Sequence, residues 1–127
     1  MAKVGNSVNM RIAIVGSRKY PNEQDVYNYV KSLPKDSIVV SGGCRGPDQW
    51  AVKAAKEFGL EYKVHEADWE RYGLGAGPKR NSIVAKDCEH LVAFWNGSNS
   101  SRGTLDVIAK ARAAGATVEV RTVNGIV

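Results

Sequence analysis

Five short apolar runs alternate along the chain with segments whose apolar positions recur at helical spacing. The runs RIAIVG, SIVVSGG, EYKVHEA, HLVAFWNG and TVEVRTV predict strands. Helices are predicted after the N-cap Asn22, over Pro47–Phe58, from near Pro78, and over residues 104–114. This alternation predicts a single Rossmann-like three-layer α/β domain, with a mostly parallel sheet of about five strands and helices on both faces.

The length of 127 residues suits one hydrophobic core. Residues 1–9 are polar and are expected to form a flexible N-terminal arm, with the folded domain over residues 10–127. No signal-peptide core and no apolar run of membrane-spanning length occurs, which favours a cytoplasmic protein without a membrane partner. Two cysteines and two histidines, not clustered in the sequence, predict neither a disulfide framework nor a metal site, and no cofactor is expected.

The formal charge of +5 is less informative than its distribution. In a parallel sheet, ligands bind outside the carboxyl ends of the strands, and the loops at that edge begin helices. Basic residues gather in these loops, at Arg18, Lys19, Arg45, Arg71, Lys79, Arg80 and Arg102. Glycines and three helix N-termini converge with them, so the edge is predicted to bind an anion.

The loop SGGCRGPD has two readings. A strand-to-helix turn needs glycine at positive φ, and Asp48 then favours the helix dipole. Alternatively, the loop brings backbone N–H groups and Arg45 to a phosphate. The spacing of a classical dinucleotide fingerprint or of a Walker loop is absent, so any anion site is assembled from several loops. Similarly, Ser101 or Thr104 either caps the last helix or belongs to a phosphate cradle with Arg102.

The segment DWERYGLGAGPKRN places two aromatic residues before a basic helix start. Trp69 and Tyr72 are interpreted either as partly buried core residues or as a stacking wall for a base. In the second interpretation Lys79 and Arg80 reach the phosphate, and Asn81 reads a base edge or only decorates the helix.

The motifs IVGSR, GGCRGPDQWAVKAA, ADWERYGLGAGPKRN and AFWNGSNSSRGT resemble the YspA-type, YpsA-related branch of the SLOG superfamily. The resemblance covers about residues 10–121. It implies a Rossmann-like fold and a nucleotide or nucleotide derivative in the glycine-rich edge. The superfamily includes the LOG phosphoribohydrolases, the DNA-processing protein DprA and nucleotide-sensing domains. The ligand contacts that it implies are Gly16, Ser17, Arg18, Gly42, Gly43, Arg45, Asp48, Arg80, Asn81, Ser101, Arg102, Gly103 and Thr104.

One departure from the LOG pattern bears on catalysis. The glutamate of the LOG motif P-G-G-x-G-T-x-x-E is replaced here by Val107, and Asp106 precedes it by one residue, about 100° away on a helix. Asp48, Asp68 or Asp106 would have to supply the carboxylate that glycosidic cleavage needs.

The sequence therefore favours a nucleotide-binding module that senses or sequesters its ligand, more than an enzyme. The alternatives are a nucleotide N-glycosidase that uses Asp48 or Asp106, and a single-stranded nucleic-acid binder of the DprA kind. A homodimer or higher homo-oligomer is expected, with Tyr27, Tyr29 and the alanine-rich stretch 109–114 as candidate contact surfaces.

Overall fold

The computed structural model of the protein describes residues 10–127, which form a six-stranded sheet between two layers of helices. The N-terminal arm expected over residues 1–9 lies outside the described residues. The strand order is β3-β2-β1-β4-β5-β6, and every neighbouring pair is parallel except β5 and β6. The strands are β1 (Arg11–Gly16), β2 (Ile38–Ser41), β3 (Glu61–Val64), β4 (His90–Phe94), β5 (Thr117–Thr122) and β6 (Gly125–Ile126).

Five helices connect these strands within the described chain. They are α1 (Glu23–Lys31), α2 (Pro47–Phe58), α3 (Trp69–Tyr72), α4 (Ala76–Lys86) and α5 (Arg102–Ala113), and a 3₁₀ turn spans Gly73–Gly75. None of the helices between residues 10 and 127 combines the length and the apolar character that a membrane crossing requires. The predicted fold class is confirmed.

The side-chain alternation of the strands divides the core between the two faces of the sheet. Ile12 and Ile14 of β1 pack with Val26 of α1 and with the alanines of α2 on one face. Ala13 and Val15 point to the other face, where α4 and α5 cover them. Because both faces of β1, β2 and β4 are covered, these strands read as continuous apolar runs.

Local signals explain most helix boundaries. The side chain of Asn22 accepts a hydrogen bond from the N–H of Gln24 at 3.0 Å and so caps α1. Gly59, at φ +74°, ends α2 in the left-handed conformation. Helix α5 begins at Arg102 rather than at the predicted Thr104.

Two elements were not predicted. Helix α3 has four residues and β6 has two, which is too short for a periodic pattern to show. Val123 and Asn124 form the two-residue loop between β5 and β6, and the Asn124–Gly125 dipeptide at its end was an available turn signal.

The strand order reverses between β1 and β4. The chain leaves β1 towards α1 on one face and leaves β4 towards α5 on the other face. The two connections diverge above the carboxyl ends of these strands, and a crevice forms between them.

Candidate functional site

A cleft of about 670 Å³ opens at this point of divergence. The volume lies within the range of pockets that hold small-molecule ligands. Its walls are the segments after β1, β2 and β4, together with α3 and the N-terminal halves of α4 and α5.

The cleft brings together most of the residues that the sequence singled out. The predicted ligand contacts that line it are Gly16, Ser17, Arg18, Gly42, Asp48, Trp69, Arg80, Asn81, Ser101, Arg102, Gly103 and Thr104. Asp106 lines it as well, although its position beside Val107 led us to expect it to point elsewhere. The other lining residues were not among the predicted ligand contacts, and they are Val15, Lys19, Cys44, Gly77, Pro78, Val84, Asn96, Ser100 and Val107.

Three predicted contacts and one catalytic candidate lie outside the cleft lining. Arg45 is exposed and does not line the cleft, and a Cβ added at Gly43 would meet the side chain of Val64 at 3.1 Å. Tyr72 also lies outside the lining, and Asp68 caps α3 by accepting from the N–H of Arg71 at 3.2 Å. The positive φ of Gly43 therefore serves the turn, which is the simpler of its two interpretations.

The anion that the glycine loop after β2 holds is Asp48 of the protein itself. Its carboxylate is buried and accepts a hydrogen bond from the N–H of Gly42 at 2.9 Å. The N–H of Gly43 is taken by the hydroxyl of Ser41 at 3.1 Å. The loop therefore does present backbone donors to a negative charge, but that charge is internal.

Burial raises the pKa of Asp48 to about 7. The guanidinium of Arg80 and the backbone N–H groups of Gly42, Cys44 and Gly16 act in the opposite direction, because they favour the charged form. A carboxyl group in the cleft wall thus changes its charge near neutral pH.

Two glycine-loop residues at the end of β1 have structural roles. A Cβ at Gly16 would lie 2.5 Å from the carbonyl oxygen of Phe94 and 2.5 Å from Pro47, so only glycine allows α2 to start against β1 and β4. Ser17 donates its N–H to Phe94 at 3.0 Å, and its hydroxyl accepts from the N–H of Asn96 at 3.2 Å. These contacts join the two loops that diverge above the sheet.

Arg80 and Asn81 form a buried polar network beneath the cleft. Arg80 donates to the carbonyl of Gly42 and to the side-chain oxygen of Asn81, the latter at 3.0 Å. The side-chain NH₂ of Asn81 donates to the carbonyl of Gly103 at 3.2 Å and to Asp106 at 2.9 Å. The network connects the loop after β2 with the first turn of α5.

The N-terminus of α5 remains open to the cleft. Ser101 occupies the cap position, but its hydroxyl bonds to Asn96 at 2.8 Å and makes no capping hydrogen bond. Among the residues that the structure describes, none accepts a hydrogen bond from the N–H of Gly103 or Thr104. A Cβ added at Gly103 would meet no atom within 4 Å.

The other two helix N-termini at this edge offer fewer donors. Helix α2 begins with Pro47, which has no N–H, and the N–H of Gln49 is bonded to Cys44 at 3.2 Å. Helix α4 carries Pro78 in its first turn. Among the described residues, α5 therefore offers two successive free N–H groups to the cleft, at Gly103 and Thr104, whereas proline removes a donor from the first turn of α2 and of α4.

Cationic and aromatic side chains line the same cleft as that open helix end. Arg18, Lys19 and Arg102 line the cleft and are exposed. Trp69 is 51% exposed and lies against the first turn of α4, where a Cβ at Gly77 would be 3.4 Å from its ring. Within residues 10–127 no group of three or more histidine, cysteine or acidic side chains is arranged to hold a metal ion.

The fold and the cleft define the fold class: a Rossmann-like α/β domain with a cleft at the carboxyl ends of its parallel strands. The structure is similar to that of DNA processing protein A (DprA) from Streptococcus pneumoniae, with a TM-score of 0.72 and 20% sequence identity. The similarity covers 90% of this chain and 50% of that chain, so the protein spans about half of the DprA chain.

No protein-family model matches the chain. The sequence is 33% identical over 118 residues to the Gene 61 protein of Mycobacterium phage D29. The alignment covers 85% of this chain and 93% of that relative. The chain belongs to the family of this phage protein.

Proposed function

We propose that the cleft binds a nucleotide or nucleotide derivative, with a phosphate at the N-terminus of α5 and the base near Trp69. The observation that carries this proposal is the pair of free N–H groups at Gly103 and Thr104, which open into a cleft lined by Arg18, Lys19 and Arg102. A helix N-terminus with free donors favours an anion, and an arginine beside it can add a bidentate contact. The motifs quoted above also support a proposed position in the YspA-type branch.

The proposed base position follows from the place of Trp69 in the wall of the cleft. Trp69 lines the cleft at the first turn of α4, whereas the phosphate position lies at α5 on another wall. An exposed indole offers an apolar face for a nucleobase, and stacking on an aromatic ring does not depend on base identity. The proposal therefore covers the class of ligand and leaves the base open.

Calorimetric titration with AMP, GMP, ADP, cyclic nucleotides and ADP-ribose tests the proposal. We expect binding of at least one of them, and a loss of about tenfold or more in affinity for Arg102→Ala. Arg45→Ala is the matched control, because it removes the same charge from an exposed loop outside the cleft lining. Failure of every nucleotide to bind at millimolar concentration, or equal losses in both variants, would contradict the proposal.

A second candidate function is the binding of single-stranded nucleic acid. It is favoured by the exposed ring of Tyr72, which has Lys79 at 4.7 Å and Arg71 at 5.3 Å, next to Trp69 at the mouth of the cleft. The structurally similar DprA is a DNA processing protein by name. Fluorescence anisotropy of a labelled oligothymidylate of about 16 nucleotides separates the two functions. Tyr72→Ala should weaken the binding of the oligonucleotide and leave the binding of a mononucleotide unaffected.

The catalytic alternative is the hydrolysis of an N-glycosidic bond. Asp48 and Asp106 both line the cleft, but each already accepts hydrogen bonds from the protein. We propose binding without turnover on this ground. Chromatography of AMP incubated with the protein reveals free adenine if the alternative holds.

A further inference from the structure

The carboxamide of Asn81 uses both of its polar ends within the protein. Its oxygen accepts from Arg80 at 3.0 Å, and its NH₂ group donates to the carbonyl of Gly103 and to the carboxylate of Asp106. Two acceptors for two N–H hydrogens satisfy the group completely. The side chain is 7% exposed, so its partners are not readily exchanged for water.

These bonds determine how the first turn of α5 is held. The carbonyl of Gly103 belongs to the same turn as the free N–H groups of Gly103 and Thr104, and Asn81 connects it to α4. Asp106 is held between the NH₂ of Asn81 and Nζ of Lys110, which lies 2.9 Å away. The negative charge closest to the open helix end is thereby kept in two charge-assisted hydrogen bonds.

We propose that Asn81 is a positioning residue that preorganises the anion site at the N-terminus of α5, rather than a residue that reads the base. The inference rests on the proposed function for its ligand, but its structural part can be tested without one. A base reader needs a free donor or acceptor, whereas Asn81 has no free N–H. Preorganised donors bind an anion without the cost of reordering the turn.

Asn81→Asp tests the role through its pH dependence. The substitution keeps an oxygen for Arg80 and replaces the NH₂ by a second oxygen that faces the carbonyl of Gly103 and Asp106. The charged groups around it are Arg80 on α4, Asp106 and Lys110 on α5, and Asp48 beyond Arg80. Burial beside a carboxylate raises the pKa of such a carboxyl, and its protonated form regains one donor.

Hydrogen exchange provides the readout that needs no ligand. At pH 8 we expect the hydrogen-bonded amides of Arg102 and Leu105 to lose protection about tenfold or more relative to the parent at the same pH. Protection should recover towards pH 5, and affinity for AMP should follow the same course. Asn28→Asp on α1, where the carboxamide is exposed and far from the cleft in sequence and fold, is the matched control.

Each outcome decides a separate question. Parent-like exchange in Asn81→Asp, or a loss of AMP affinity without any change in exchange, overturns the positioning role. If exchange in Asn81→Asp changes with pH but the parent protein binds no nucleotide, the positioning role is supported. The failure of the parent to bind then contradicts the proposed function. Should Asn81→Asp fail to fold, Asn81→Ser removes the carboxamide donors without adding charge, and the same loss of protection at Arg102 and Leu105 is expected.

Discussion

Asp48 places a buried carboxylate at the end of β2, where it accepts a hydrogen bond from the N–H of Gly42. Its neighbours favour the charged form of the carboxyl, yet burial outweighs them and raises its pKa to about 7. The folded protein therefore binds this proton more tightly than the unfolded chain, in which an aspartate has a pKa of about 4. Stability depends on pH wherever the two states differ in bound protons.

For Asp48 the pH dependence of stability has the opposite sign to that of a typical acidic residue, whose pKa is lowered on folding. Stability is highest at low pH within this window and is lost as pH rises from about 4 to about 7, by roughly 4 kcal/mol in total. Asp48→Asn removes the titration while keeping an oxygen for Gly42, so its free energy of unfolding should change less with pH. Urea unfolding at several pH values between 5 and 8 measures the difference in slope.

The exposed Asp68→Asn serves as the control for that experiment, because it removes an acid outside the buried network. It should keep the pH dependence of the parent. Parallel profiles for the parent and Asp48→Asn would show that the buried carboxyl does not titrate in this range.

The helices around the cleft differ in what their N-termini offer. Helix α1 is capped by Asn22 and α3 by Asp68, both away from the cleft. Helices α2, α4 and α5 have no side-chain cap, but α2 and α4 carry proline in the first turn, whereas α5 keeps the N–H groups of Gly103 and Thr104 free among the described residues. Sequence reasoning assigned equal weight to all three, since a glycine-rich loop before a helix looks alike whether its donors face a ligand or an internal carboxylate.

Gly103→Ala separates ligand approach from helix stability. Gly103 lies in the first turn of α5 with space around it, and alanine is the better helix former, so the free energy of unfolding should stay equal or rise by up to about 1 kcal/mol. The added methyl group stands beside the free N–H groups, and nucleotide affinity should fall about tenfold or more. Thermal unfolding and calorimetric titration measure the two quantities.

Gly75→Ala is the control for this variant. Gly75 precedes α4 at φ −76° with equal space around it, and it does not line the cleft. Unchanged affinity in Gly103→Ala would place the anion away from α5 and contradict the proposed phosphate position.

The fold could be predicted from the sequence because strands covered on both faces are apolar throughout and the helices between them are amphipathic. The cleft could be predicted as a region, since the carboxyl ends of parallel strands share one edge. The roles of individual residues within a loop could not be predicted in this way. Arg45 and Asp48 lie only three residues apart, yet Arg45 is exposed and Asp48 is buried, because the chain turns between them and their side chains point in different directions.

At the scale of the whole molecule, the surface expected for self-association is partly used inside the protein. Tyr27 packs against Phe58, and Tyr29 packs against Phe94. Other apolar side chains are exposed, and Leu74 in the 3₁₀ turn is 93% exposed. An exposed leucine next to exposed aromatic residues is typical of a contact surface.

We predict a dimer that uses this surface. Light scattering should give twice the 13.8 kDa of the chain at high micromolar concentration, and Leu74→Glu should shift the mass towards the monomer. Val123→Glu, on the loop between β5 and β6, carries the same change elsewhere and should leave the mass unchanged. A monomeric parent protein would contradict the prediction.

The cleft is built from two parts of the chain, each made of successive βα units. Its walls include Gly16, Gly42 and Asp48 from the first part and Asn81 and Gly103 from the second, and the pairing of β1 with β4 brings them together. Neither part alone contains the complete site, so it exists only after the two parts have docked. A nucleotide held there stabilises the native state more than a transition state in which that docking is incomplete, and it would therefore act mainly by slowing unfolding.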